Sequence, residues 1–256
     1  MYTERTPRVA AARQLTRRSG RERAGRFLAE GAQAVREALA FGTVHELFVT
    51  VDAAARYADL VRDAGVPVST VTDRAAAGLS ETVTPQGIVA VCAVVDVPLE
   101  AALSGSPKLV AVLAGVSDPG NAGTVTRVAD AAGADAVVFA GDTVDPHNGK
   151  CVRASTGSLF HLPITRSRDL AATLAACRAA GLSLVAAEGT AEDELGKLDL
   201  AAPTAWVFGS EAHGLPDDVR GAVDRMVRVP IYGRAESLNL ATAAAVCLYA
   251  SAGAQH

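Results

Sequence analysis

From Leu109 onward the chain alternates wholly apolar, strand-length runs with helix-length ones, and few folds accept that pattern. The runs "LVAVLAG", "DAVVFAG", "LSLVAAEG" and "AWVFGS" have no polar side to turn to water. A strand apolar on both sides belongs inside a parallel sheet that helices cover on both faces. The spacing predicts a helix over 124–133 after the first run, and a polar loop "DTVDPHNGKCVRASTGS" after the second. Strand "HLPIT", helix "DLAATLAACRAAG", helix "PDDVRGAV", strand "MVRVPI" and a C-terminal helix from Asn239 complete an α/β domain over 109–256. A smaller unit over 22–97 reads αβαβαβ. Its first helix carries Phe27, Leu28, Ala32, Val35 and Leu39 at helical intervals in "RFLAEGAQAVREALAFG". Residues 98–108, with two prolines and a Gly-Ser pair, read as a linker.

The charge is unevenly placed. Residues 1–26 hold eight arginines against two glutamates, an excess of six positive charges in a chain whose net charge is −4; the other 230 residues therefore carry ten excess negative charges. A basic arm (1–21) on an acidic body seeks a polyanion, the alternative being a solvated tail without a partner. No apolar stretch reaches bilayer length, and the N-terminal residues show no secretory pattern. The expectation is a cytoplasmic protein without membrane contact. Cys92, Cys151, Cys177 and Cys247 are scattered, form no zinc set with the five histidines, and read as reduced thiols; no metal is expected.

Four stretches carry candidate chemistry. In "SDPGNAGTVTR" (117–127) a glycine-rich turn joins a strand to a helix, where parallel sheets place ligands, but neither standard phosphate fingerprint is met. Arg127, read in the first helical turn, faces the positive end of the helix dipole, an unfavourable place that suggests a task. Asn121 stands as a turn or cap residue. In "WVFGSEAHGLP" (206–216), Glu211 follows the buried strand that ends at Gly209; His213 invites a metal or base reading but lacks a second ligand. In "VRVPIYGRAESLNLATAAAVCLY", Ser237 is a natural N-cap and Asn239 a polar residue opening an apolar helix. In "KCVRASTGSLFHLP" (150–163), Lys150, Arg153, Ser155, Thr156 and Ser158 either bind phosphate or connect two elements.

In this order and spacing, "NAGTVTR", "FGSEAHGL" and "VPIYGRAESLNLATAAA" resemble the three motifs of the SpoU (TrmH-type) branch of the SPOUT RNA methyltransferases. "FLAEGAQAVREAL" and "TPQGIVAV" are similar to that family's substrate-binding domain, and "KCVRASTGSLFHLPI" to its connecting segment. The third motif departs mildly, with Leu240 and Ala241 after Asn239 where the family more often has Val-Ser.

The resemblance implies methyl transfer from S-adenosylmethionine, leaving S-adenosylhomocysteine, to a ribose 2′-hydroxyl of RNA. It implies a deep trefoil knot in the C-terminal domain, a ribosomal-protein-like RNA-binding unit before it, and a homodimer through the knotted domain. It places Arg127, Asn121, Glu211, Ser237 and Asn239 in the catalytic group, and Gly209, Val229, Ile231, Ser237 and Leu238 around the cofactor. Arg17, Arg18, Arg21, Arg23, Lys150 and Arg153 are the expected RNA contacts. Ribosomal RNA, 23S above all, is preferred to transfer RNA because the N-terminal unit is more usual in rRNA-directed members. A dinucleotide-dependent enzyme is disfavoured by the missing glycine fingerprint, and a non-catalytic RNA-binding protein by the intact motifs.

Overall fold

In the computed structural model, which describes residues 1–211 and 214–256, the backbone at Gly31 decides how the first apolar stretch folds. Gly31 stands at φ +92°, a conformation other residues rarely adopt, so no helix runs through it. Arg26–Glu30 is instead a strand, β1, and the helix is confined to Ala32–Phe41. The single helix expected from Phe27 onward is corrected accordingly: Phe27 and Leu28 pair with Cys92 and Val91 across an antiparallel ladder.

The chain divides into two compact units, one formed by Met1–Val95 with Asp145–His161 and the other by Asp96–Val144 with Leu162–His256. The sequence-based boundaries, which place 145–161 with the C-terminal domain, are corrected on this point. The first unit holds β1, β2 (Val44–Val49), β3 (Val68–Thr70) and β4 (Ile88–Ala93) in the order β1-β4-β2-β3. β4 runs antiparallel to both neighbours, and β2 and β3 are parallel.

The basic arm is part of this unit and not a tail. It folds as helices Pro7–Arg13 and Arg18–Ala24 around a short turn. Val9, Ala12 and Leu15 enter the core beside Leu28, Phe48, Leu79 and Val91. At Gly20 a Cβ would stand 2.0 Å from the Gln14 carbonyl oxygen, so the second helix closes on the turn only because that side chain is missing.

The second unit is the parallel sheet that the alternation requires. β5 (Leu109–Ala114), β6 (Ala136–Ala140), β7 (Ile164–Ser167), β8 (Ser183–Ala187), β9 (Asp193–Glu194), β10 (Thr204–Phe208) and β11 (Arg225–Arg228) lie in the order β7-β6-β5-β10-β8-β11-β9. Every neighbouring pair is parallel. The order interleaves: β10 enters between β5 and β8, and β11 between β8 and β9. β5, β6 and β10 are buried at every residue. Trp206 on β10 is fully buried and donates its indole N–H to Ser251 Oγ at 2.8 Å, tying the helix Leu240–Gln255 to the sheet. Truncation to alanine there is worth about 3–5 kcal/mol. The expected linker is also corrected: Ala102 and Leu103 are buried in this unit's core, with Val97 and Leu99 packed against it.

Among the described residues no helix is long and apolar enough to cross a membrane, and no cluster of His, Cys, Asp or Glu is set to hold a metal. Cys92, Cys151, Cys177 and Cys247 are all buried; burial pushes the Cys92 and Cys247 thiols up to about 12 and that of Cys177 to about 11.

Candidate active site

The strands β5, β10, β8 and β11 are neighbours, and their carboxyl ends deliver the polar motifs to one edge of the sheet. Leu113 pairs with Phe208, Phe208 with Ala187, and Ala187 with Val227. The residues that follow, Gly115, Gly209, Glu188 and Val229, therefore leave the sheet along that edge, where open α/β folds bind ligands.

After β5 the helix starts earlier than its apolar stripe suggests. Asp118 is the N-cap and accepts the Asn121 N–H at 2.8 Å, Pro119 stands in the first turn, and the helix is Pro119–Ala131. Gly120 and Gly123 are helical, not the bend of a turn. Arg127 is the ninth residue, about 9 Å along the axis and 120° around from Asn121. The dipole acts within the terminal turn, so Arg127 does not oppose it, and that sequence-based expectation is corrected. Arg127 is exposed, away from the buried face of Ala122, Val125 and Ala129.

After β10, Gly209 and Ser210 meet Gly214. Gly209 is buried, and a Cβ there would stand 2.6 Å from the Gly214 carbonyl carbon. Ser210 and Gly214 exchange both backbone hydrogen bonds, at 3.1 and 2.8 Å, with Gly214 at φ +65°. The exposed Glu211 accepts a 2.8 Å hydrogen bond from Asn121 Nδ2. His213 lies outside the described residues.

After β11 an exposed segment, 231–239, carries Ile231, Ser237 and Leu238. The helix begins at Leu240, so Asn239 and not Ser237 is its N-cap: Asn239 Oδ1 accepts from the N–H groups of Ala241 (2.9 Å) and Thr242 (3.3 Å). This fixes its amide, whose Nδ2 donates to Asn121 Oδ1 at 3.0 Å. Asn121 is thereby oriented too, with Nδ2 towards Glu211. A one-way chain runs from the helix terminus through Asn239 and Asn121 to the Glu211 carboxylate, its two side-chain links spanning 118 and 90 residues of sequence.

Of the cofactor candidates, Val229 lines a groove of about 560 Å³ together with Leu195, Leu198, Tyr232 and Val246. Gly209 stands at the carboxyl end of β10, and the other three on the exposed segment. Main-chain groups at the strand ends, an apolar wall and an acidic chain make a donor set suited to a nucleoside sulfonium, a cation with an apolar body. A charged pair that sequence reasoning does not single out stands on the same edge. Arg220 Nη2 meets Glu188 Oε2 at 3.1 Å, and Arg220 Nε donates to the Leu215 carbonyl at 3.0 Å. Glu188 directly follows β8, and a carboxylate at the carboxyl end of a parallel strand is the signal the sequence holds for it.

In the first unit the RNA candidates separate into two kinds. Arg17, Arg18, Arg23 and Lys150 are exposed, Arg18 against Glu22 at 2.9 Å. Arg21 is buried, with its guanidinium on Asp145 at 2.8 Å and on the carbonyls of Leu15 and Thr16. Arg153 bonds the buried Glu30 at 3.0 Å, which also accepts from Ser80 and Thr82. Arg21, buried on Asp145, is spent on that partner, and its place among the phosphate contacts is corrected; Arg153 keeps its side chain 26% exposed beside Glu30. Burial pushes the Asp145 carboxyl up, but hydrogen bonds from His147 and the Arg21 charge outweigh it and hold it well below the usual carboxylate range. His147 Nε2 accepts the Val95 N–H at 3.3 Å, so its proton sits on Nδ1, which faces Asp145 at 3.4 Å.

Comparison with known proteins identifies the family. Residues 108–249 match the model of the SpoU rRNA Methylase family, and residues 6–90 that of the MRM3-like substrate binding domain. The 23S rRNA (guanosine(2553)-2′-O)-methyltransferase RlmP of Bacillus subtilis is 36% identical over 230 residues, 90% of this chain and 89% of that protein. The AdoMet-bound rRNA methyltransferase of Sinorhizobium meliloti superposes with a TM-score of 0.84 at 31% identity, covering 96% of this chain and 94% of that one. The SpoU methyltransferase AviRb of Streptomyces viridochromogenes, in complex with AdoMet, gives 0.84 at 30% identity over 97% and 98% of the two chains. An interleaved parallel sheet, three motif segments joined at its carboxyl edge and a family match over more than half the chain lead to one conclusion: this protein belongs to the SpoU methyltransferase family.

Proposed function

We propose that the protein transfers a methyl group from S-adenosylmethionine to a ribose 2′-hydroxyl of 23S ribosomal RNA in the cytoplasm. The observation that carries the reading is the hydrogen-bonded chain Asn239–Asn121–Glu211, which joins the three motif segments at one point. Relatives named as 23S rRNA 2′-O-methyltransferases support the choice of ribosomal over transfer RNA.

When bound, S-adenosylmethionine supplies a methyl group already activated on a sulfonium. Gly209, Val229, Ile231, Ser237 and Leu238 would hold it, largely through main-chain groups. The chain's own task is to align a ribose oxygen and to manage its proton. A guanidinium does not deprotonate, so Arg127 acts as a fixed cation. It grips the 2′-oxygen and the adjacent RNA phosphate and stabilises the developing alkoxide while the proton passes to a phosphate oxygen. Asn121, Glu211 and Asn239 brace the floor on which the ribose sits, and Ser237 flanks it.

Arg127 lies about 9 Å along its helix from Asn121, and it completes the site of a second subunit in a homodimer. The exposed Ile231, Tyr232, Leu238, Val246 and Tyr249 supply an apolar surface for that pairing. The interleaved strand order supports the trefoil knot that the family resemblance implies, a rare exception among connections. Mapping 2′-O-methyl groups across rRNA and tRNA from cells lacking the gene tests the proposal. One 23S site is expected to disappear and to return with the parent chain but not with Arg127→Ala. A lost site in tRNA, or none, overturns it.

A further inference from the structure

We infer that the Glu188–Arg220 ion pair is a positioning device that sets the turn after β10, and with it the affinity for S-adenosylmethionine. The inference rests on the cofactor assignment of Gly209 and Leu238 above. Most exposed ion pairs do little, so what else this pair touches decides its role.

Arg220 comes from the helix Asp217–Ala222, and its guanidinium joins two points with two nitrogens: Nε to the Leu215 carbonyl at 3.0 Å and Nη2 to Glu188 at 3.1 Å. Glu188 is itself anchored. Its N–H donates to the Val227 carbonyl of β11 at 2.9 Å, its carbonyl accepts from Ala191 at 3.1 Å, and Thr190 Oγ1 lies 3.4 Å from Oε1. The pair thus links the ends of β8 and β11 to the exit of the turn that follows β10.

Contact with the turn is close. A Cβ on Gly214 would lie 3.4 Å from Glu188 Oε2 and 3.5 Å from Arg220 Nη2, so both charged groups lie against the Gly214 backbone. Gly214 is the residue that pairs with Ser210 and packs on Gly209. Glu188 is largely shielded, its side chain 15% exposed, which strengthens the attraction beyond that of an open surface pair. Loss of either charge frees the Leu215 end of the turn, and Gly209 then shifts relative to Val229 on the neighbouring segment. A ligand held by main-chain groups registers such a shift as weaker binding, whereas chemistry governed by Arg127 does not.

The test uses the full chain with Glu188→Gln, Arg220→Gln, Arg220→Lys and the exchange Glu188→Arg/Arg220→Glu. S-adenosylmethionine affinity is measured by calorimetry and compared with steady-state kinetics and the melting temperature. Expected are a rise on the order of tenfold in Kd and KM for S-adenosylmethionine in both glutamine variants, with kcat within a few-fold of the parent. Partial recovery is expected in Arg220→Lys, which reaches Glu188 but has no second nitrogen for Leu215. Glu188→Gln keeps the shape and an acceptor, so it reports even where an Arg220 variant fails to fold. Gly209→Ala is the control for the cofactor assignment: its Cβ would stand 2.6 Å from the Gly214 carbonyl carbon, so it displaces the main chain there and is expected to weaken binding. Unchanged affinity in Gly209→Ala as well as in the glutamine variants means that the cofactor assignment is wrong. Weakened binding in Gly209→Ala with parental affinity in Glu188→Gln, whatever happens to its melting temperature, overturns the positioning role alone.

Discussion

Asn239 has two separable tasks, and a one-atom change divides them. Its Oδ1 caps the helix Leu240–Gln255 by accepting two N–H groups, while its Nδ2 donates to Asn121. Asn239→Asp keeps the cap and adds a negative charge at the positive end of a 16-residue helix, worth up to about 1 kcal/mol in favour of folding. It also replaces the donor with an acceptor. Asn121 then has to turn its amide to meet the new carboxylate, which points Oδ1 at the Glu211 carboxylate and removes that hydrogen bond. A hydrogen bond to a charged group is worth about 1.5–3 kcal/mol, and each 1.4 kcal/mol is tenfold, so kcat/KM is expected to fall about 10- to 100-fold. Asn239→Ala loses the cap as well, about 1 kcal/mol or slightly more, which lowers Tm by about 2–4 °C. The assay pairs thermal melting with single-turnover transfer of labelled methyl groups to a 23S rRNA fragment. Opposite rankings are expected: the aspartate variant at least as stable as the parent but poorly active, the alanine variant less stable. An Asn239→Asp enzyme with parental turnover refutes the one-way chain; one as unstable as Asn239→Ala refutes the cap.

Arg127→Ala is expected to lose at least about a hundredfold in methyl transfer while calorimetry shows unchanged S-adenosylmethionine binding; weakened binding would move Arg127 into the cofactor pocket. Replacing Arg17, Arg18 and Arg23 together by alanine should weaken RNA binding and reduce the slope of log affinity against log salt by about 2–3, with little loss of stability. Arg21→Ala should do the reverse, unfolding the first unit by about 3–5 kcal/mol through the uncompensated Asp145. Asp145 has a folded pKa held below its unfolded value of about 3.9, so its contribution is complete above that pH and is lost as pH falls through the folded value. Acid titration of unfolding free energy below about pH 4 should therefore be flatter for Asp145→Asn, which is also less stable than the parent at neutral pH.

The strands of the larger unit are legible because their environment is uniform: every residue of β5, β6 and β10 is buried, and Val/Ala-rich runs have no other place. Capping chemistry is harder to read. Asp118-Pro119 is an N-cap with proline in the first turn, yet the glycines after it read as a bend, which places Arg127 too near the helix start. The pattern Phe27, Leu28, Ala32 fits a helix by spacing alone, and only the positive φ of Gly31 divides it. Motif order points to Asn121, Glu211 and Asn239, and the three do meet. Charge alone points to Arg21 as an RNA contact, but its carboxylate partner lies more than 120 residues away in the chain, out of reach of any local pattern.

That separation has a consequence for how such a protein can change. The chain passes between the two units three times, after Val95, Val144 and His161. No single stretch of gene encodes the first unit, so a recombination event that transplants residues 1–97 carries Arg21 away from Asp145 and Glu30 away from Arg153. Exchange of a front module at one splice point would therefore break both pairs, whereas substitutions at exposed positions such as Arg17, Arg23 and Lys150 would leave them intact.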